Sequence, residues 1–194
     1  MHFSDFDLSI LGEIGNVSVG GAAASLSDFV NKIVTISIPN TKIETFEELK
    51  NQFEPSVIFA KVDFKDGLNG SNLLLMKKEE AINFSKIIVK EKLGIDIHTW
   101  DEFSENALAE VFNIMVGNMT SAMSELFHKK IKIETPEMYE VESKELAFYQ
   151  NDEKLISIRF EIKLENILKV NLVKIITEKQ ASEMIKMIKG DHHL

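Results

Sequence analysis

The sequence predicts an α/β fold of the α+β kind: one mixed or antiparallel sheet carrying two long helices, built twice from one repeated half. Three observations lead there. Ser9, Glu13, Asn16 and Pro39 are spaced 4, 3 and 23 residues apart, and Asn106, Glu110, Asn113 and Pro136 repeat that spacing 97 residues later. The order helix, strand, connection, hairpin, helix recurs in each half. Each half supplies about three strands, a sheet too thin to stand alone, so the two are expected to share one. The expected organisation is a single domain over residues 1–190, made of repeats at about 5–98 and 99–190, with 191–194 as a terminal remnant.

Composition narrows the function. With 44% hydrophobic and 27% charged residues, the 194-residue chain has the makings of a packed core. The absence of Cys removes disulfide and thiolate chemistry and suits a reducing cytoplasm. A net charge of −9 without a basic tract argues against nucleic acid and for a basic protein partner. Residues 1–7 lack a basic leader and no apolar run is long enough to cross a bilayer, so a cytoplasmic protein without membrane insertion is expected.

The elements follow in order. Residues 9 to about 29 read as a helix, with Asp5 or Asp7 as N-cap. Gly12, Gly15, Gly20 and Gly21 lower its propensity but would let another element approach closely. Residues 32–38 alternate and are β-branched, a strand closed by Pro39; 44–53 form an acidic short helix or loop. Strands at 56–65 and 72–76 flank the turn-rich 66–70, and 78–93 form an amphipathic helix stopped by Gly94. In the second half, 103 to about 127 are helical, 130–135 form a strand before Pro136, 155–163 and 168–176 form a hairpin, and 178–189 form a helix stopped by Gly190.

In a helix, positions i, i+4 and i+7 share a face. Ser9, Glu13 and Asn16 therefore line up on the first helix, and Asn106, Glu110 and Asn113 on the second. The opposite faces carry Leu11, Ile14, Ser18, Ala22 and Ser25, and Leu108, Val111, Met115, Met119 and Ala122. Phosphate-loop and dinucleotide glycine patterns are absent. The run Gly15 to Gly20 is G-x-x-S-x-G with no preceding strand, which speaks against Ser18 as a nucleophile. His2, His98, His128, His192 and His193 lack ligand spacing apart from the terminal pair and read as surface residues; Trp100 reads as a core or boundary anchor.

Two copies in register point to more than the wet side of two helices. A carboxamide does not titrate near neutrality, but it can hold a water by donating and accepting at once. That is the task of a side-chain amide in GTP hydrolysis. A Glu beside it can bind a cation or fix a partner's Lys or Arg. Such a site suits a substrate that arrives half activated, such as an acyl phosphate on another protein. A hydrolase using Glu13 and Glu110 as a pair stays open, provided their carboxylates stand roughly 5–10 Å apart.

The doubled S-x₃-E-x₂-N-x₂₂-P pattern and the run Leu11-Gly12-Glu13-Ile14-Gly15-Asn16 resemble the CheC/FliY/CheX family of chemotaxis phosphatases, over about residues 7–190. The resemblance implies a CheC-like pseudo-two-fold fold whose two long helices present two sites. It implies hydrolysis of the phosphoaspartate of the response regulator CheY, which supplies its own Mg²⁺, so that the chain needs no cofactor. Carried over, Asn16 and Asn113 position the attacking water, Glu13 and Glu110 pair with a Lys of CheY, and Ser9, Asn106, Pro39 and Pro136 complete the motif. The family has Asp or Ser at its first position; Ser9 fits and Asn106 departs. The double motif disfavours the single-motif CheX branch. A stand-alone CheC or the middle domain of FliY is expected, since the FliN-like domain and CheY-binding peptide of FliY are not in this chain. Phosphorylated CheY is the expected partner, with CheD or flagellar switch proteins beside it. The competing expectation is a non-catalytic CheC-like module, acting as a switch scaffold or CheD-binding adaptor.

Overall fold

The computed structural model describes residues 3–53 and 55–190. His2, His192, His193 and the expected terminal remnant at 191–194 lie outside the described residues. The elements are α1 (Asp5–Gly20), α2 (Ala22–Val30), β1 (Val34–Ile36), β2 (Asn40–Thr45), α3 (Phe46–Lys50), β3 (Ser56–Asp66), β4 (Ser71–Lys77) and α4 (Lys78–Leu93). Then come α5 (Glu102–Leu126), β5 (Lys132–Ile133), β6 (Glu137–Glu142), β7 (Lys154–Leu164), β8 (Leu168–Thr177) and α6 (Glu178–Gly190).

All eight strands form one sheet, and every pairing in it is antiparallel. At its centre β4 pairs β8, with Leu74 opposite Lys174. The hairpins β3–β4 and β7–β8 flank that seam. The outer positions are exchanged between halves: β1 and β2 of the first half pair with β7 of the second, and β5 and β6 of the second pair with β3 of the first. Neither hairpin is completed by its own half.

The sheet is covered on both faces, which accounts for the long apolar runs in β3, β7 and β8. Alternate residues of β8 divide the core. Val170 and Leu172 face the cluster with Leu108, Val111, Met115 and Met119 of α5 and Phe84 and Ile88 of α4. Val173 and Ile175 face the opposite cluster with Phe46, Leu49 and Phe53. A third cluster joins Leu11 and Ile14 of α1 to Met123 and to Met184 and Ile185 of α6.

Several expectations need correcting. The first helix is two helices: α1 ends at Gly20 and α2 starts afresh at Ala22, although Gly21 keeps helical angles (φ −73°, ψ −21°). Four small residues with little side chain to bury leave that junction weak, whereas α5 runs 25 residues unbroken. The N-cap is Ser4, not Asp5 or Asp7; Asp7 N–H donates to Ser4 Oγ (3.2 Å) and Ser4 N–H to Asp7 Oδ2 (3.0 Å), a capping box. Each half supplies four strands rather than three, because β2 and β6 escape notice. They lie 97 residues apart, directly after Pro39 and Pro136. Their sequences, NTKIET and EMYEVE, are polar and charged, as suits outer strands. Glu44 thus sits in a strand, and α3 is a single short helix behind it. α6 includes Gly190 rather than stopping before it.

Candidate functional site

The apolar faces of α1 and α5 pack on the sheet and leave the motif residues outside. Ser9, Glu13 and Asn16 are exposed on α1, and Asn106, Glu110 and Asn113 on α5. On the inner faces Leu11, Ile14, Ser18, Ala22, Leu108, Val111, Met115 and Met119 are buried. Ser18 is fully buried and donates to the Ile14 carbonyl (2.5 Å), so no substrate can reach it. His98 and His128 are exposed, and Trp100 is half-buried against the α5 core.

Helices α1 and α5 are antiparallel neighbours. Leu126 near the end of α5 shares a groove with Phe6 and Ile10 near the start of α1. Further along, a Cβ on Gly21 would lie 3.9 Å from Asn118 Oδ1. Gly21 and Asn118 are themselves equivalent, 97 apart, so the crossing lies on the local two-fold axis. Each Asn of the motif stands five residues before it and each Glu eight residues before it. At 1.5 Å rise per residue, the two Asn are roughly 15 Å apart along the helices and the two Glu roughly 24 Å. Glu13 and Glu110 therefore cannot act as a hydrolytic carboxylate pair, and that reading is discarded. What remains is two separate sites, one on each side of the crossing.

The prolines belong to the support of this arrangement. A Cβ on Gly15 would stand 3.5 Å from Pro39 Cγ and 2.9 Å from Ile158 Cγ2, so α1 rests directly on the chain entering β2 and on β7. The residue under strain from any larger side chain is the one just before Asn16. Pro136 holds the equivalent place before β6 and is half-buried. At the other glycines the expected close approach is weaker: Gly12 has ordinary contact with Thr41 Oγ1 at 3.6 Å, and Gly20 has nothing within 4 Å.

Near the first site, Lys189 Nζ bonds Asp7 Oδ1 (2.8 Å). This bond, together with the hydrogen bonds from Ser4, holds the Asp7 carboxyl down at about 2. Asp7 is thereby committed to its helix cap and to α6. A separate cleft of about 440 Å³, lined by Asn40, Lys77 and Arg159 among others, contains none of the motif residues.

One feature is absent from the sequence expectations: the apolar groove of about 350 Å³ beside Ser9 and Glu13, walled by Phe6, Ile10, Val17 and Ile188. Phe6, on the polar stripe one turn before Ser9, is the sequence signal for it.

The model of the chemotaxis phosphatase CheX matches residues 58–161, more than half of the chain and including Asn106, Glu110, Asn113 and Pro136. That of the CheC-like family matches residues 6–43, which hold Ser9, Glu13, Asn16 and Pro39. The chain belongs to the CheC/FliY/CheX family.

Within the family, it is 27% identical over 189 residues to the flagellar motor switch phosphatase FliY of Bacillus subtilis, covering 95% of this chain and 50% of that protein. It is 26% identical over 135 residues to the CheY-P phosphatase CheC of the same organism, covering 68% of this chain and 65% of that one. The chain thus spans about half to two-thirds of the length of these relatives. In fold it matches the crystal structure of Thermotoga maritima FliY with a TM-score of 0.87 at 22% identity, covering 99% of this chain and all of that one. It also matches the FliM middle domain of H. pylori, with a TM-score of 0.74 at 13% identity over 95% of this chain and 99% of that one. The helix and antiparallel-sheet architecture is that of FliY and the CheC-like proteins. Among the described residues, no helix is long and apolar enough to cross a membrane.

Proposed function

We propose that this CheC/FliY/CheX chain is a protein aspartyl-phosphate phosphatase that shortens the life of phosphorylated CheY. One observation carries the reading: the same Glu and Asn stand exposed, one turn apart, on two helices related by a local two-fold axis. The names of the FliY and CheC relatives support it.

In the proposed reaction, Glu13 or Glu110 docks by pairing with a Lys of the regulator. Asn16 or Asn113 then enters beside the phosphoaspartate and holds a water in line with phosphorus, accepting from it while donating to a phosphoryl oxygen. The water oxygen bonds to phosphorus, the bond from phosphorus to the aspartyl oxygen breaks, and the Asp carboxylate and inorganic phosphate are released. The Mg²⁺ carried by the regulator neutralises phosphoryl charge. The chain contributes position and no cofactor of its own. Positioning alone is a large part of phosphoryl-transfer catalysis.

Timing phosphate loss from Mg²⁺-loaded phospho-CheY, with and without the chain, tests this. Faster loss is expected; an unchanged lifetime contradicts it. A second reading is a non-catalytic switch scaffold or an adaptor for CheD, and its scaffold form draws support from the FliM-like fold. Binding to a switch protein without any change in phospho-CheY lifetime favours that reading.

A further inference from the structure

We propose that Phe6 and Phe103 are the apolar anchors by which the two sites grip the phosphorylated regulator, an inference that rests on the function proposed above. The spacing of the motif extends to them: Phe6 stands three residues before Ser9, and Phe103 three before Asn106, so this pair too is 97 apart. Both rings face water, Phe6 at 67% exposure and Phe103 at 48%. Helical spacings of 3, 7 and 10 from the Phe reach the polar residue, the Glu and the Asn, and all four lie on one stripe. Large exposed apolar groups at equivalent places in both halves, on the face turned away from the core, leave apolar surface open to a partner.

The surroundings select the occupant. The segment Asp5 to Asn16 carries Asp5, Asp7 and Glu13 and no basic residue; Glu102 to Asn113 carries Glu102, Glu105 and Glu110 and no basic residue. Acidic side chains thus flank both rings along their helices, with Asp7 already paired to Lys189, which favours a partner surface with an apolar depression ringed by Lys or Arg and disfavours a second acidic copy of this chain. On α1 the ring is also held in place. Lys189 Nζ sits 5.6 Å from the Phe6 ring centroid while bonded to Asp7, and the groove with Ile10 and Val17 continues the apolar surface past Glu13. Aromatic anchors of this kind dominate binding energy while polar neighbours set register. The division of labour is that Phe binds, Glu orients and Asn acts.

The test is calorimetric titration of CheY from the chain's own source organism, activated with beryllofluoride and Mg²⁺, into the wild-type chain and its variants, beside decay of the phosphorylated regulator. Phe6→Ser with Phe103→Ser is expected to raise Kd and KM about tenfold or more while kcat stays within about twofold. Leu at both positions should restore most of the affinity. Asn16→Ala with Asn113→Ala should show the opposite split, with Kd kept and kcat lost. A Kd for the Ser variant within about twofold of wild type overturns the proposal. So does loss of self-association in that variant with regulator affinity unchanged, because the rings then serve a second copy. Wild-type chain that binds the regulator without speeding decay overturns the phosphatase reading alone, and the same Kd ratio still decides the anchors. Wild-type chain that does not bind overturns both.

Discussion

Gly21 and Asn118 occupy the same place in the two halves and meet each other where the α1–α2 junction crosses α5; Ser25 Oγ of α2 donates to the same Asn118 Oδ1 at 3.4 Å. The contact places Asn16 and Asn113 on opposite sides of the crossing, too far apart to serve one phosphoryl group. Each site should work alone. Asn16→Ala and Asn113→Ala are expected to leave separate, additive fractions of the acceleration, about half each if the sites are equal. Decay of phosphorylated regulator checks this; a complete loss from either single change contradicts it.

The glycines of α1 should respond oppositely to the same substitution. Gly20 has open space around it, so Gly20→Ala should stabilise by about 0.5–1 kcal/mol through helix propensity. Gly15→Ala puts a methyl 2.9 Å from the stiff Ile158 Cγ2, so it should cost about 1–3 kcal/mol and lower activity at the first site by shifting Asn16. Urea midpoints of the two variants measure the contrast.

Lys174 lies fully buried in the central strand β8, and among the described residues its Nζ finds Met123 Sδ, a weak acceptor 3.8 Å away. Burial pulls its pKa from 10.5 down to about 8. Between those values the unfolded chain holds the proton and the folded chain does not, so this group makes stability rise with pH across the window. Below pH 8 the folded state carries the whole cost of the buried charge, about 3 kcal/mol. Lys174→Met should therefore stabilise by about that amount at pH 7, with the gain shrinking towards pH 10.5. Denaturant titrations of both proteins at several pH values show it as a pH-dependent difference.

Glu44 ties the exchanged strand β2 to β7. Burial alone raises its pKa, but the neighbouring Ser157 hydroxyl and the hydrogen bonds from Gln52 (2.8 Å) and Arg159 outweigh that and hold the carboxyl below its ordinary value. Its stabilising contribution is present above pH 4.5 and fades as pH falls through the lowered pKa. Glu44→Ala leaves the half-buried Arg159 without its main partner and should cost about 3 kcal/mol, read by thermal melting.

The repeat was the most legible part of the sequence, because an offset held at four positions survives everything that blurs local patterns. Helices α4 and α5 and the β7–β8 hairpin follow directly from their apolar periodicity and turn residues. The exchange of edge strands was not legible. β2 and β6 are short and polar, and pairing across halves leaves no mark in local sequence. Glu44 reads as one more surface acid until Arg159 is brought beside it from 115 residues away. Ser4 is hard to pick out as the cap because Asp5 and Asp7 are the louder signal, yet Asp7 does take part, as the returning half of the capping box. At the sites, Glu13, Asn16, Glu110 and Asn113 were read as outward-facing from helical geometry alone. The neighbouring Phe6 and Phe103 are harder to read, because an aromatic side chain suggests core and only its place on the polar stripe speaks for exposure.

The central claim is that two exposed carboxamides speed hydrolysis on a partner protein. It is tested most directly by the rate of phosphate loss from saturating, Mg²⁺-loaded phospho-CheY in the presence of Asn16→Ala with Asn113→Ala. The double variant should bind the regulator as the wild type does and bring the rate down to that of the regulator alone. If it still accelerates the loss as well as the unaltered chain, the amides do not position the water and the account is wrong.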